Sequence, residues 1–443
     1  MLYTDKELKE ATQIAYLSFL TDAKENLRAD GRKGPFTMRE LIQSCIRINY
    51  AMSLAKENGI QQSEITMKDI VKFSDLKDSD KAIIERFSPE MFEWKIIDIQ
   101  DLNETNGFYA CCIETSKESA IVAFRGSENM QVTSNMINDW CRADFALLNS
   151  RSTRQQEEAE KYGDKLFRKG IVDKYKNFAV TGHSLGGNLA THFTISTGTE
   201  SKKELSDKIV QSVNFDGPGF SDEYLEENEE KICRTSDKLT HYKWSAVGDL
   251  LFDIPGEKTE FLAIDEDLHK DNVIKNIKYK AITRHSTQSL LFDEKGNATR
   301  GKQDIVSKGM SALSKTLDKF IPEAITTELF AAVDWILDKT LEIKEGGKSK
   351  IVGVSWSERF AKKGSILGIC GKFIKDAIEV VKDATEVLLD GNIPVNNQLK
   401  PAFADVYGGV ISNSQYNISN TNYGIEQLLW GKNRDEQVNE KDI

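Results

Sequence analysis

Histidine is scarce in this chain. Five occur in 443 residues, so any chemistry that needs an imidazole must draw on His183, His192, His241, His269 or His285. Cysteine is scarce as well: the six fall at no spacing that would hold a zinc ion. Cys111 and Cys112 are neighbours in an apolar run, so as strand residues they point to opposite faces. Such usage predicts free thiols rather than a disulfide framework. A basic excess is also missing. Fifty-nine Lys and Arg against 70 Asp and Glu leave a net charge of -11, which argues against a nucleic-acid partner. No apolar run reaches the length of a membrane span; the nearest, Gly364 to Leu389, is interrupted by Lys372, Lys375, Asp376, Glu379 and further charges. The first residues, Met1-Leu2-Tyr3-Thr4-Asp5-Lys6, lack the charged-then-apolar pattern of a secretory leader. These absences predict a protein that stays cytoplasmic or is secreted without a cleaved signal peptide.

What is present is more specific. Gly182-His183-Ser184-Leu185-Gly186 follows a short apolar run, Asn177 to Thr181, and precedes a helix-like stretch from Gly187 to Thr194. Gly-x-Ser-x-Gly between strand and helix is the nucleophile elbow of serine hydrolases. The turn strains the serine backbone, and its flanking residues must lack bulk.

The texture of the chain changes twice. Residues 1–90 read as helical, with a capping-box spacing from Thr37 to Glu40 and an apolar face through Leu41, Ile42, Cys45, Ile48 and Met52. Residues 91–300 carry β-rich runs at Phe92–Ile99, Gly107–Ile113, Ser119–Phe124, Ile209–Phe215 and Lys243–Val247, with a charged helix over Gln155–Arg168. Strands alternating with helices predict an α/β sheet, parallel around the elbow. Residues 301–443 return to helical spacing, as in Ile374, Ile378, Val381, Ala384 and Leu388, and hold no histidine. The expected architecture is therefore an α/β-hydrolase with a helical N-terminal region and a helical C-terminal extension.

A serine nucleophile needs a base, and the base needs a carboxylate, in the chain order serine, acid, histidine. His183 lies inside the elbow, His192 on the helix after it, and His241 before nearly every acid candidate. His269 sits in the acidic cluster Asp265 to Asp271, which could mimic a metal site, and the remaining candidate is His285 in Thr283-Arg284-His285-Ser286. His285 is the favoured base. Asp249, after the apolar run Lys243–Val247, is the favoured acid; Asp253 is the runner-up, and Asp216 at the end of the preceding strand is a further option. For the oxyanion, the N–H of Leu185 and that of Ser127, after the run Ile121 to Gly126, are the expected donors. Arg125 reads as an anchor for that loop. The mechanism calls for no cofactor and no metal.

Together Val122-Ala123-Phe124-Arg125-Gly126-Ser127, Asn138-Asp139-Trp140, Val180 to Gly187, Asn214 to Gly219, and Val247-Gly248-Asp249 followed by Pro255 resemble the class 3 lipase family. The resemblance spans roughly residues 90 to 300. It implies Ser184 as nucleophile, Asp249 as acid, His285 as base, Ser127 and Leu185 as oxyanion donors, a lid over Glu128–Leu148, a lipid ester substrate and transient contact with a membrane surface. The sequence departs from the family pattern at Phe215-Asp216-Gly217-Pro218 and in the histidine loop. The whole layout is also similar to lipase toxins exported by type VII secretion systems of Gram-positive bacteria. That likeness implies small helical export partners and an immunity protein.

Overall fold

The computed structural model describes residues 2–126, 153–265 and 284–303, together with residues 307, 308, 311, 314 and 315. Ser127, the expected lid, His269 and the helical stripe from Ile374 to Leu388 lie outside the described residues. One compact unit comprises Met1–Met136, Ala146–Asn272 and Tyr279–Gln303, and the features below belong to it.

Eight strands form one sheet: β1 (Phe36–Thr37), β2 (Lys95–Leu102), β3 (Phe108–Glu114), β4 (Ser119–Phe124), β5 (Asn177–His183), β6 (Ile209–Phe215), β7 (Leu239–Lys243) and β8 (Lys258–Phe261). They lie in chain order from β1 to β8. The pairs from β1 to β4 are antiparallel, and those from β4 to β8 are parallel. With the strand–elbow–helix unit at its centre, this is an α/β-hydrolase fold.

A parallel run in chain order joined by right-handed crossovers places its connecting helices on one face. The alternation of side chains along β3 and β4 shows that face directly. Phe108, Ala110, Cys112, Val122 and Phe124 pack with Ala159, Tyr162 and Leu166 of the helix Arg154–Arg168 and with Leu189 and Phe193 of the helix Leu185–Ser196. The intervening residues Tyr109, Cys111, Ile113, Ile121 and Ala123 face the other way. They share a core with Leu8, Ile14, Leu20, Leu41 and Ile42 of the N-terminal helices and with Phe87 beyond them. Residues 1–90 are thus the second layer of the hydrolase, covering the face its own crossovers leave bare. Cys111 and Cys112 lie in opposite layers, both as free thiols.

Local signals start these helices as expected. Thr37 and Glu40 form a capping box, and so do Thr4 and Glu7 ahead of the helix Asp5–Ile14. The expected single apolar face from Leu41 to Met52 is broken: Ile46 is extended, and a new helix, Ile48–Glu57, begins beyond it. Asp5 ties the N-terminus to distant elements. Its carboxylate accepts from the Tyr242 hydroxyl (2.9 Å) and from the Ala298 N–H (2.9 Å). Among the described residues no helix is long and apolar enough to cross a membrane.

Candidate active site

The carboxyl ends of β4, β5 and β6 meet at Ser184. This serine follows the last residue of β5 and precedes the first residue of the helix Leu185–Ser196, with φ 60° and ψ -137°. A non-glycine residue held there stores on the order of 1–3 kcal/mol, and such strain persists only where the surroundings enforce it. The enforcement is visible. Ser184 N–H donates to the Phe215 carbonyl of β6 (3.0 Å), and the Ser184 carbonyl accepts from Gly187 N–H (2.8 Å). Gly186 lies so close to β4 that a Cβ would meet the Phe124 carbonyl oxygen at 2.4 Å. Leu185 is the first residue of the helix. First-turn N–H groups have no intrahelical acceptor and sit at the positive end of the helix dipole, which suits an oxyanion.

His285 lies against this elbow. Its main chain is held by two rings: the Trp244 indole N–H donates to the Arg284 carbonyl (2.8 Å), and His183 Nε2–H donates to the His285 carbonyl (2.9 Å). The His183 ring stacks parallel to Trp244 (5.9 Å, 9°) and against His285 (4.5 Å). Burial, reinforced by His285, pushes the His183 pKa down to about 3. His183 is therefore a neutral, Nε2-protonated spacer between the elbow and the histidine loop.

The carboxylate bonded to His285 is Asp216, and the expectation of Asp249 is corrected. Asp216 Oδ2 accepts from His285 Nδ1–H at 2.7 Å. With the proton on Nδ1, the lone pair of the neutral imidazole is on Nε2. Asp216 is fully buried and has φ 53°. Its other donors are Trp244 N–H (2.9 Å), Ser245 N–H (3.0 Å) and the Ser245 hydroxyl, which also lies 3.2 Å from His285 Nδ1. Burial alone would raise the Asp216 pKa. The hydrogen bonds from His285, Ser245 and Trp244 outweigh it and hold the carboxyl below its ordinary range.

The reason for the correction is where β7 stops. The strand ends at Lys243, and the apolar residues Trp244 to Val247 form the turn beyond it. The N–H groups of Trp244 and Ser245 reach Asp216 and that of Val247 the Ser245 hydroxyl, instead of a neighbouring strand, so the carboxylate that meets His285 is the one at the end of β6. Asp249 is buried elsewhere in that turn, 3.5 Å from Lys243 Nζ. Burial raises its pKa and Lys243 only partly offsets the rise. Asp253 pairs with the same lysine and lies 3.6 Å from His241 Nδ1. Asp253, Glu257 and His241 are one group among the described residues close enough to hold a metal ion. The Lys243 ammonium already supplies a cation to that group, and His241, in the middle of β7, donates from Nε2 to the Gly217 carbonyl (2.8 Å). The set reads as an ion-pair network supporting the acid loop.

That loop is also tied to the elbow helix. Asn188 Nδ2 donates to the carbonyls of Pro218 (3.2 Å) and Gly219 (2.9 Å), and its Oδ1 accepts from Gln156 Nε2 (2.8 Å). His192, one turn on, is buried between the Tyr224 hydroxyl (2.7 Å) and Glu160 (3.2 Å). The Arg125 guanidinium lies over the Tyr109 ring at 4.5 Å. His285 is thus held against His183, the residue before Ser184, and is bonded to Asp216; Asp249 lies beside Lys243 instead, and Ser127 and His269 lie outside the described residues. Sequence reasoning missed Trp244 and Ser245, which read as strand interior.

A family model described as Mbeg1-like matches residues 90–338. No curated protein matches the chain. Among solved structures it is similar to the Lip2 lipase from Yarrowia lipolytica, at 14% identity and a TM-score of 0.27, over 39% of this chain and 66% of that one. It is also similar to M37 lipase, at 14% identity and a TM-score of 0.29, over 55% of this chain and 68% of that one. The chain thus spans just under two thirds of the Lip2 lipase.

Proposed function

We propose, on the premise that this chain belongs to the Mbeg1-like family, that it is a serine hydrolase of carboxylic esters acting through Ser184, His285 and Asp216. The observation that carries this reading is the pairing of a strained Ser184 (φ 60°) with a His285–Asp216 bond of 2.7 Å held against the same elbow. His285 Nε2 removes the proton as Ser184 Oγ attacks the ester carbonyl, and Asp216 stabilises the imidazolium that forms. Leu185 N–H, with an N–H of the loop after β4 for which Ser127 is the candidate, receives the negative charge of the tetrahedral intermediate. Protonated His285 then passes its proton to the departing alcohol. Water, activated by the same nitrogen, releases the acid from the acyl-enzyme.

The substrate class is lipid esters, as a lipase or a phospholipase A. This rests on the class 3 lipase motifs around residues 122–127, 180–187 and 214–219. The test is labelling with a fluorophosphonate, followed by fatty-acid release from mixed phospholipid vesicles. One label should attach, Ser184→Ala should abolish both readouts, and vesicles should be cleaved in preference to a short p-nitrophenyl ester. Labelling that survives in the variant would remove Ser184 from its role. Turnover of the short ester alone would replace the lipid reading with that of a small-ester hydrolase, and no turnover or labelling at all would leave a scaffold without catalysis.

A further inference from the structure

Tyr16 lies outside the stretch matched by the family model, just past the helix Asp5–Ile14. Its hydroxyl nevertheless reaches the seam between the two backbone segments from which oxyanion donors would come. It accepts from the Gly126 N–H at 2.9 Å and donates to the His183 carbonyl at 3.3 Å. A phenol has one proton to give and accepts readily, so both capacities are used. The seam is tight: a Cβ on Gly126 would meet the Tyr16 hydroxyl at 2.7 Å, the His183 carbonyl oxygen at 2.7 Å and Ser184 Cβ at 3.0 Å. Ala15 and Leu17, on either side, are buried in the core beneath the sheet and fix the ring in place.

We infer that Tyr16 is a positioning residue for catalysis, setting the spacing between the loop after β4 and the nucleophile elbow so that the oxyanion donors on the two sides converge. This rests on the serine-hydrolase reading above. It assigns the N-terminal layer a part in the chemistry as well as in the core. Transition-state stabilisation of this kind depends on donors fixed before the charge develops, and displacing one lowers turnover more than binding.

The test is Tyr16→Phe in the full chain, which keeps the ring and removes the bridge. We expect kcat to fall roughly tenfold or more, on the way to the ~10²-fold loss of a whole oxyanion donor, with KM within about twofold. A trifluoromethyl ketone, whose adduct with Ser184 presents an oxyanion, should lose affinity by the same factor as kcat/KM. A non-hydrolysable ether analogue of the substrate should bind as before. Wild-type kcat and wild-type ketone inhibition in the variant would overturn the inference. Should Tyr16→Phe fail to fold, 3,5-difluorotyrosine at position 16 preserves the packing and acidifies the phenol. Burial pushes the Tyr16 pKa up to about 12, and an ionised phenol cannot donate to the His183 carbonyl. The alkaline limb of kcat/KM should therefore move to lower pH in the fluorinated protein; superimposable profiles would also overturn it. The two readings fail separately. A wild-type protein that neither labels with fluorophosphonate nor turns over esters refutes the hydrolase, whereas active protein indifferent to Tyr16 refutes only the positioning role.

Discussion

The end of β6 and the turn after β7 each bury an aspartate at the same edge of the sheet. Asp216 is fully buried and Asp249 is 2% exposed. Their surroundings nevertheless push them in opposite directions. Asp216 is met by donors that bind the ionised form: two backbone N–H groups, a hydroxyl and an imidazole. Asp249 has a lysine at 3.5 Å that it shares with Asp253. The first carboxyl is held below its ordinary pKa and the second is raised. A buried acid that must stabilise an imidazolium has to stay ionised, and hydrogen bonds converging on its oxygens achieve this better than a nearby charge shared with a competitor.

The largest test of this contrast is to neutralise each acid in turn. Asp216→Asn should lower kcat on the scale of ~10⁴, because the amide favours the wrong tautomer of His285. Asp249→Asn should leave ester turnover within about fivefold, since that carboxylate does not meet the histidine. Steady-state kinetics on both variants decides it, and the reverse order of effects would restore Asp249 as the acid.

A smaller effect is expected from Ser245→Ala, which strips one donor from Asp216. A hydrogen bond to a charged group contributes about 1.5 kcal/mol, so kcat/KM should fall roughly tenfold. The acid limb of its pH profile should also move upward as Asp216 becomes less acidic. An unchanged limb would show that the two N–H groups of the turn suffice.

The smallest effect is one of sign. Asp216 has a depressed folded-state pKa, so its contribution to stability is present above its ordinary value of 3.8 and is lost as pH falls through the folded value. Asp249 has a raised folded-state pKa, so stability is lost as pH climbs from 3.8 through its folded value. Asp249→Asn should therefore compare more favourably with the wild type in melting temperature at pH 7 than at pH 4. A constant difference between the two would mean that Lys243 compensates the charge fully.

The contrast also marks what could be read in the sequence. β4 and β6 coincide with the expected runs Ser119–Phe124 and Ile209–Phe215, and the charged helix starts one residue earlier than expected. The two strands are buried along nearly their whole length, so a short β-rich run reports their extent. β7 was misplaced for the same reason. Trp244 to Val247 are just as buried, but a buried turn and a buried strand have the same composition when a side chain, here Asp216, satisfies the turn's N–H groups. That four-residue error carried the acid to the wrong strand end. The elbow was legible because its chemistry needs small residues at fixed offsets. Tyr16, in Ile14-Ala15-Tyr16-Leu17, carried no such mark, since which sheet face a helix will cover is a tertiary choice.

The bonds made by Asp5 bear on how the molecule comes to exist. They join residues 237 and 293 positions apart in the chain. During synthesis the N-terminal helices emerge first and meet β3 and β4 early, yet two of their partners, Tyr242 and Ala298, follow Asp5 by 237 and 293 positions. Until then the face of the sheet they cover is only partly closed, and closing so long a loop weighs on the folding rate. The earliest-made part of this protein thus completes its contacts only once the chain has passed Ala298, and those late bonds close the face that the N-terminal helices cover.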